Sequence, residues 1–215
     1  MSNALKIALF GATGMIGSRI AAEAASRGHQ VTALARNPAR VPAGVANLKA
    51  AQTDLLAAAS VAAAARGHDV VASAYAPPHD NPGVVATATR ALVEGVRAAG
   101  LKRLVVVGGA GSLEVAPGKQ LVDTEGFPDV YKAVALAHRD ALAFYRTVSD
   151  LDWTFFSPAA LIAPGERTGT FRTGTDTLLV DAEGNSRISA EDYAVAFVDE
   201  LEQGRFIRKI ATVAY

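Results

Sequence analysis

Lys6-Ile7-Ala8-Leu9-Phe10-Gly11-Ala12-Thr13-Gly14-Met15-Ile16-Gly17 is the stretch whose reading decides the fold. Ile7 to Phe10 is a short apolar run, the pattern of a strand buried on both faces. Gly11, Gly14 and Gly17 follow at once, and Ser18 to Ser26 reads as an alanine-rich helix. Strand, glycine turn and helix in that order make the first βα unit of a nucleotide-binding fold. Gly11 supplies backbone angles that a Cβ would penalise. Gly14 leaves room for a pyrophosphate at the backbone amides, and Gly17 lets the helix lie close on the strand. The free amides and the positive end of the helix dipole then hold the phosphates.

Outward from this stretch, strand and helix patterns alternate without a long polar linker, which predicts one α/β domain over residues 1–215. Val31 to Ala35 reads as strand two and Leu48 to Gln52 as a weaker strand three. Leu55 to Ala65 reads as a helix and Asp69 to Ala74 as strand four. A helix is expected from Pro82 to Ala99, strand five over Arg103 to Val107, a long helix over Val130 to Ser149, and strand six over Trp153 to Phe156. The last quarter departs from this alternation. Leu178 to Val180 and Ser186 to Ser189 flank Asp181-Ala182-Glu183-Gly184-Asn185, which predicts a hairpin. A helix over Glu191 to Leu201 and a strand over Phe206 to Val213 follow. Ligands of doubly wound sheets sit beyond the carboxyl ends of the strands, so residues 163–190 are expected to cover a substrate.

Composition narrows the function. Of 215 residues 50% are hydrophobic, yet no apolar run has the roughly 20 residues of a membrane span. The first residues lead directly into strand one, so no signal peptide is expected and a cytoplasmic location is. Cysteine is absent, which excludes disulfides and thiolate sites. Lysine plus arginine equals aspartate plus glutamate at 21 each, and no basic stretch points to nucleic acid or a membrane surface. The four histidines are scattered without ligand spacing, so no metal is expected. The expected partner is a small molecule, with the chain a monomer or homodimer.

The end of strand two selects the dinucleotide. A carboxylate there would bond the ribose hydroxyls of NADH, but this chain has Ala35-Arg36-Asn37-Pro38. A guanidinium at that place pairs with a 2′-phosphate, so NADPH is the expected cofactor, with NADH possible. Asp54 suits either the adenine amino group or the N-cap of the next helix. Ala74 and Tyr75, leaving strand four, are expected along the ribose and nicotinamide side.

With these residues placed, the chain resembles the atypical short-chain dehydrogenase/reductases, and within them the NAD(P)H-binding group of NADH-flavin reductase-like and biliverdin reductase B-like proteins. The resemblance rests on Gly11 to Gly17, Ala35 to Pro38 and Val107-Gly108-Gly109-Ala110-Gly111-Ser112-Leu113. It continues through Asp152 to Ala160, Pro164 to Gly169, Asp181 to Ser189 and Glu191-Asp192-Tyr193-Ala194. It implies a Rossmann-type doubly wound, mainly parallel sheet with a small C-terminal cap. It also implies dinucleotide contacts at Thr13, Gly14, Met15, Ile16, Arg36, Asp54, Leu55, Ala74, Tyr75, Gly108 and Gly109. The substrate would lie over the nicotinamide near Ser157 and Pro158, under the segment around Arg167. A flavin or another planar conjugated acceptor would take the hydride. NmrA-like relatives offer an alternative, a dinucleotide-binding redox sensor without turnover.

One departure matters. The superfamily's usual catalytic pair is a tyrosine with a lysine four residues later, but Tyr131 is followed at that distance by Ala135. Hydride transfer to a flavin tolerates this, because solvent can protonate the reduced ring. Three side chains remain as catalytic candidates: Tyr131, His79 in the proline-rich loop after strand four, and His138 on the long helix. Each has an ordinary alternative, His79 as a loop histidine and His138 as a helix-surface residue. His29 and His68 precede strands at the opposite end of the sheet and read as structural. Arg167 and Arg172 suit either a ligand phosphate or carboxylate, or solvent.

Overall fold

A computed structural model describes residues 4–78 and 80–215. The elements run β1 (Lys6–Phe10), α1 (Met15–Ser26), β2 (Gln30–Ala35), β3 (Leu48–Gln52), α2 (Ala58–Ala65), β4 (Val70–Ser73), α3 (Val84–Ala98) and β5 (Arg103–Val107). They continue with β6 (Glu114–Ala116), β7 (Lys119–Gln120), α4 (Asp129–Arg146), β8 (Asp152–Ser157), β9 (Leu161–Ala163), β10 (Arg172–Gly174), β11 (Arg187–Ser189), α5 (Ala190–Gln203) and β12 (Lys209–Ala214).

An eight-stranded sheet has the order β10-β12-β8-β5-β4-β1-β2-β3, parallel throughout except where β10 pairs antiparallel with β12. Strand direction and alternation assign the core. Ile7 and Leu9 of β1 face α1 and α5 together with Tyr193, Phe197 and Phe156. Ala8 and Phe10 face the opposite way, onto the layer of α2, α3 and α4 with Leu92, Leu104, Tyr145 and Trp153. A strand buried on both faces has no polar side, which is why β1 reads as an unbroken apolar run.

The chain reverses its winding between β1 and β4, where the crevice of a doubly wound sheet opens. Glycine makes the first turn there possible. Gly11 has φ +76°, and a Cβ on it would stand 2.5 Å from the Ala74 carbonyl oxygen. A Cβ on Gly17 would stand 2.1 Å from the Gly11 oxygen, so helix and turn touch backbone to backbone.

Under the sheet's opposite end lies a buried ion pair. Glu200, fully buried on α5, accepts from Arg103 at 2.6 Å, from the Thr154 hydroxyl at 2.9 Å and from the Arg205 amide at 2.9 Å. This ties β5, β8 and α5 into one unit. Burial pushes the Arg103 guanidinium below its ordinary range, opposed by the Glu200 charge. α5 itself has sharp ends: the Ser189 hydroxyl accepts from the Asp192 amide at 2.9 Å, and Gly204 closes the helix at φ 59°.

Two expectations are corrected. Residues 181–185 do form a tight turn, with the Asp181 amide bonded to the Asn185 carbonyl at 2.8 Å. Its arms do not pair with each other: β11 runs parallel to β9, and the Leu178 amide bonds to Glu114 in the loop after β5. The turn chemistry was right and the partners were not, because the competing strand lies more than twenty residues upstream. The second correction is the start of α2. Asp54 accepts from the Leu56 amide at 3.0 Å, which holds residues 54–56 in a turn and delays the helix to Ala58.

Candidate functional site

A cleft of about 200 Å³ opens at the carboxyl ends of β1, β2, β3 and β4. Eight of the expected contacts line it: Gly11, Thr13, Gly14, Arg36, Asp54, Leu55, Ala74 and Tyr75. Phe10, Leu34 and Thr53 are also among its walls. No motif singled these out, since a strand's last apolar residue reads the same whether it meets a helix or a ligand.

The cleft is suited to a dinucleotide. A Cβ on Gly14 would meet only the Gly11 oxygen, at 3.5 Å, so the chain has room there for a side chain that it lacks. That vacant shell faces the first turn of α1, whose leading amides have no intrahelical acceptor. Gly14 is the N-cap and offers no side-chain cap bond, and the first turn carries no acidic residue to compete with an anion. At the far end, Arg36 has no hydrogen-bond or ion-pair partner among the described residues. Burial raises the Tyr75 phenol above its ordinary range, with Arg36 pulling it down and Asp54 pushing it up, so the phenol stays neutral. Asp54 uses Oδ1 for the turn to Leu56, and is therefore neither helix cap nor wholly uncommitted.

The other expected dinucleotide residues do not line the cleft. Met15 is 41% exposed in the first turn of α1, and Ile16 packs against the α1–α5 core. Gly108 makes way for the Phe155 ring, which a Cβ would meet at 2.2 Å, and a Cβ on Gly109 would stand 3.2 Å from the His138 Cβ.

The residues expected at the substrate are each engaged within the protein. Ser157 is fully buried and donates to the Gly109 carbonyl at 3.1 Å, so it latches β8 to the loop after β5. Pro158 is buried beside it. Arg167 is turned to α1, where it grips Glu23 with two bonds of 2.9 and 2.8 Å. Glu23 lies eight residues into α1 from Met15, about 12 Å down the helix from its N-terminal end. The whole strap is tied in this way. The Gly165 amide bonds to Glu191 at 2.7 Å, the Thr168 hydroxyl and Gly169 amide to buried Asp192 at 2.6 and 2.8 Å, and Arg172 to the Val180 carbonyl at 2.7 Å.

Of the catalytic candidates, His79 lies outside the described residues. Tyr131 is 55% exposed in the first turn of α4 and lines neither the cleft nor the smaller cavity beyond it. His138, two turns further along α4, is half-buried with its ring edge-on to Phe155 at 6.4 Å. Burial pushes its imidazole down to about 4, so it is neutral at pH 7. His29 and His68 are structural: His29 accepts from the Leu5 amide at 3.1 Å and donates to Glu202 at 2.8 Å, while His68 bonds Thr32 at 2.8 Å.

The sequence profile of the NAD(P)H-binding family matches residues 11–203. Among solved structures, a Burkholderia pseudomallei protein provisionally described as exported is 72% identical, over 98% of this chain and 100% of the other, with a TM-score of 0.91. A Bacteroides thetaiotaomicron protein provisionally named an epimerase is 39% identical, over 99% and 98%, with a TM-score of 0.93. A Streptococcus pneumoniae protein provisionally named an NADH-flavin reductase is 33% identical, over 98% and 99%, with a TM-score of 0.88. Among the described residues, no helix is long and apolar enough to cross a membrane.

Proposed function

Since the chain belongs to the NAD(P)H-binding family, we propose that it is an NADPH-dependent reductase delivering hydride to a flavin or a similarly planar conjugated acceptor. When bound, the reduced dinucleotide supplies the hydride, and the protein supplies its placement. Thr13, Gly14 and the leading amides of α1 hold the pyrophosphate, and Arg36 holds the 2′-phosphate. Asp54 and Tyr75 flank the adenosine.

The observation that carries the choice of acceptor is the state of α4. Reducing a carbonyl requires a proton at its oxygen, from an acid held near the nicotinamide. Tyr131 is exposed and has Ala135 where a partner lysine would stand, and His138 is already neutral at pH 7. An acceptor that takes its proton from solvent needs neither. The same features disfavour an epimerase or dehydratase. Consumption of a reduced dinucleotide fits a cytoplasmic location.

The test is anaerobic oxidation of NADPH and NADH with FMN, FAD and riboflavin as acceptors. Saturable flavin-dependent oxidation with NADPH preferred is the expected result. Tight NADPH binding with no turnover on any flavin would replace this reading with that of a redox sensor.

A further inference from the structure

Tyr75 lines both the dinucleotide cleft and a second cavity. This cavity, about 30 Å³, lies over the carboxyl ends of β4 and β5 between α3 and α4. Its walls are mostly apolar, with Val85, Leu92 and Phe155 among them. Most of its polar groups are satisfied within it. The Ser73 hydroxyl accepts from the Tyr75 amide at 3.4 Å, and the Thr89 and Tyr145 hydroxyls bond each other.

Like the Tyr75 phenol, His138 is an exception. Its Cβ packs against Gly109, its ring meets the edge of Phe155, and it has no hydrogen-bond partner among the described residues. His138 is half-buried and its ring nitrogens are not among the buried unpartnered atoms, so they keep access to solvent and are open to a ligand group. A neutral imidazole offers one N–H donor and one bare nitrogen acceptor. The void has room for about one water, or for one small polar group that displaces it, and is far too small for a planar tricyclic acceptor.

Topology says which group comes there. The cleft occupies the β1-β2-β3 half of the sheet, and a dinucleotide crossing the switch point lays its second mononucleotide over the β4–β5 half. We propose that His138 is a binding residue for the nicotinamide riboside half of the dinucleotide, its neutral imidazole hydrogen-bonding a ribose hydroxyl or the carboxamide at the mouth of the second cavity, beside Tyr75. The inference rests on the reading of the cleft as a dinucleotide site and does not depend on the acceptor. It assigns His138 to binding where an acid would have been sought.

The experiment compares two ligands on the full chain, NADPH and adenosine 2′,5′-bisphosphate, which lacks the nicotinamide riboside. Affinities are measured by calorimetry for the natural protein, His138→Ala and His138→Gln. The alanine variant should bind NADPH about tenfold more weakly and the bisphosphate with unchanged affinity. Glutamine, which keeps a donor and an acceptor, should recover most of the loss. Equal weakening for both ligands would mean a structural role and overturn the proposal, as would no weakening for either. A natural protein that binds NADPH no more tightly than the bisphosphate would overturn it too. Flavin-dependent turnover is assayed separately: its absence defeats the reductase reading, while the two-ligand comparison still decides on His138.

Discussion

Arg167 holds Glu23 in a two-point ion pair, Nε to Oε2 at 2.9 Å and Nη2 to Oε1 at 2.8 Å, joining the strap after β9 to α1. The same carboxylate takes a bond from Arg27 at 2.9 Å. These partners, Arg167 first, hold the Glu23 carboxyl below its ordinary range against the opposing effect of burial. A carboxylate depressed in the folded state stabilises the protein above its unfolded pKa and loses that contribution as pH falls through the folded value. Arg167→Ala should therefore lower the Tm at pH 7 by roughly 2–4 °C, the equivalent of about 1 kcal/mol. The gap from the natural protein should narrow as pH drops below about 4, where the carboxylate protonates. An acceptor KM that rises sharply in this variant would return Arg167 to the substrate.

Gly14 and Gly17 separate binding from folding. Gly14→Ala adds a Cβ whose only neighbour is 3.5 Å away, so its Tm should stay within about 2 °C of the natural protein. Its NADPH affinity should fall about tenfold or more, roughly 1.4 kcal/mol. Gly17→Ala places a Cβ 2.1 Å from the Gly11 oxygen and should cost stability first, by about 1–3 kcal/mol. Thermal melts and dinucleotide titrations on the same two variants check both halves.

Arg36→Glu removes a cleft cation that has no partner among the described residues and would put a like charge against a 2′-phosphate. NADPH affinity should fall by roughly 10–100-fold, the range of a lost charge-assisted bond. NADH affinity should hold or improve. An unchanged NADPH-to-NADH ratio would show that the phosphate is held elsewhere.

Arg103→Met would strand the Glu200 carboxylate in the interior. Removing one partner of a buried pair costs about 3–5 kcal/mol, or a Tm lowered by roughly 10 °C in a chain of this size. Arg103→Met with Glu200→Leu should recover part of that and not all, because Glu200 also accepts from Thr154 and from the Arg205 and Phe206 amides. Melting curves of the single and double variants decide the matter.

His138 should titrate near pH 4 in the folded protein, read from its imidazole proton resonances. Among the described residues only uncharged side chains share its cavity, Tyr75 and Tyr145 among them, and burial sets the shift. An unfolded histidine takes its proton near pH 6.5, so the unfolded state gains as pH falls from there toward 4. His138→Gln should consequently lose less stability over that window than the natural protein, as melts at stepped pH would show.

Most of the central sheet and most of the residues that line the cleft were legible because their causes are largely local. A strand such as Ile7 to Phe10 is buried on both faces whatever follows it, and the Gly17 contact with Gly11 lies within the turn that both shape, although Gly11 also meets Ala74 at the end of β4. Arg36 sits at a fixed offset from the end of β2. What failed to show depends on distant partners. Nothing near Arg167 reveals that Glu23 will meet it across α1, and nothing near Ser157 reveals that its hydroxyl will be taken by Gly109. β11 was read with the wrong partner for the same reason. β6, β7 and β10 are too short, at two or three residues each, to carry a period of their own.

β12 lies between β8 and β10, which has consequences during synthesis. Residues 172–174 leave the ribosome well before residues 209–214, so the antiparallel edge has nothing to pair with when it first appears. β8 meanwhile shows the nascent chain an open parallel edge beside its completed neighbour β5. An open edge is a template for any other strand within reach. Crowded polysomes, stalled translation or loss of a nascent-chain chaperone should thus harm this protein's yield more than its equilibrium stability would suggest, and the aggregates should be seeded at β8.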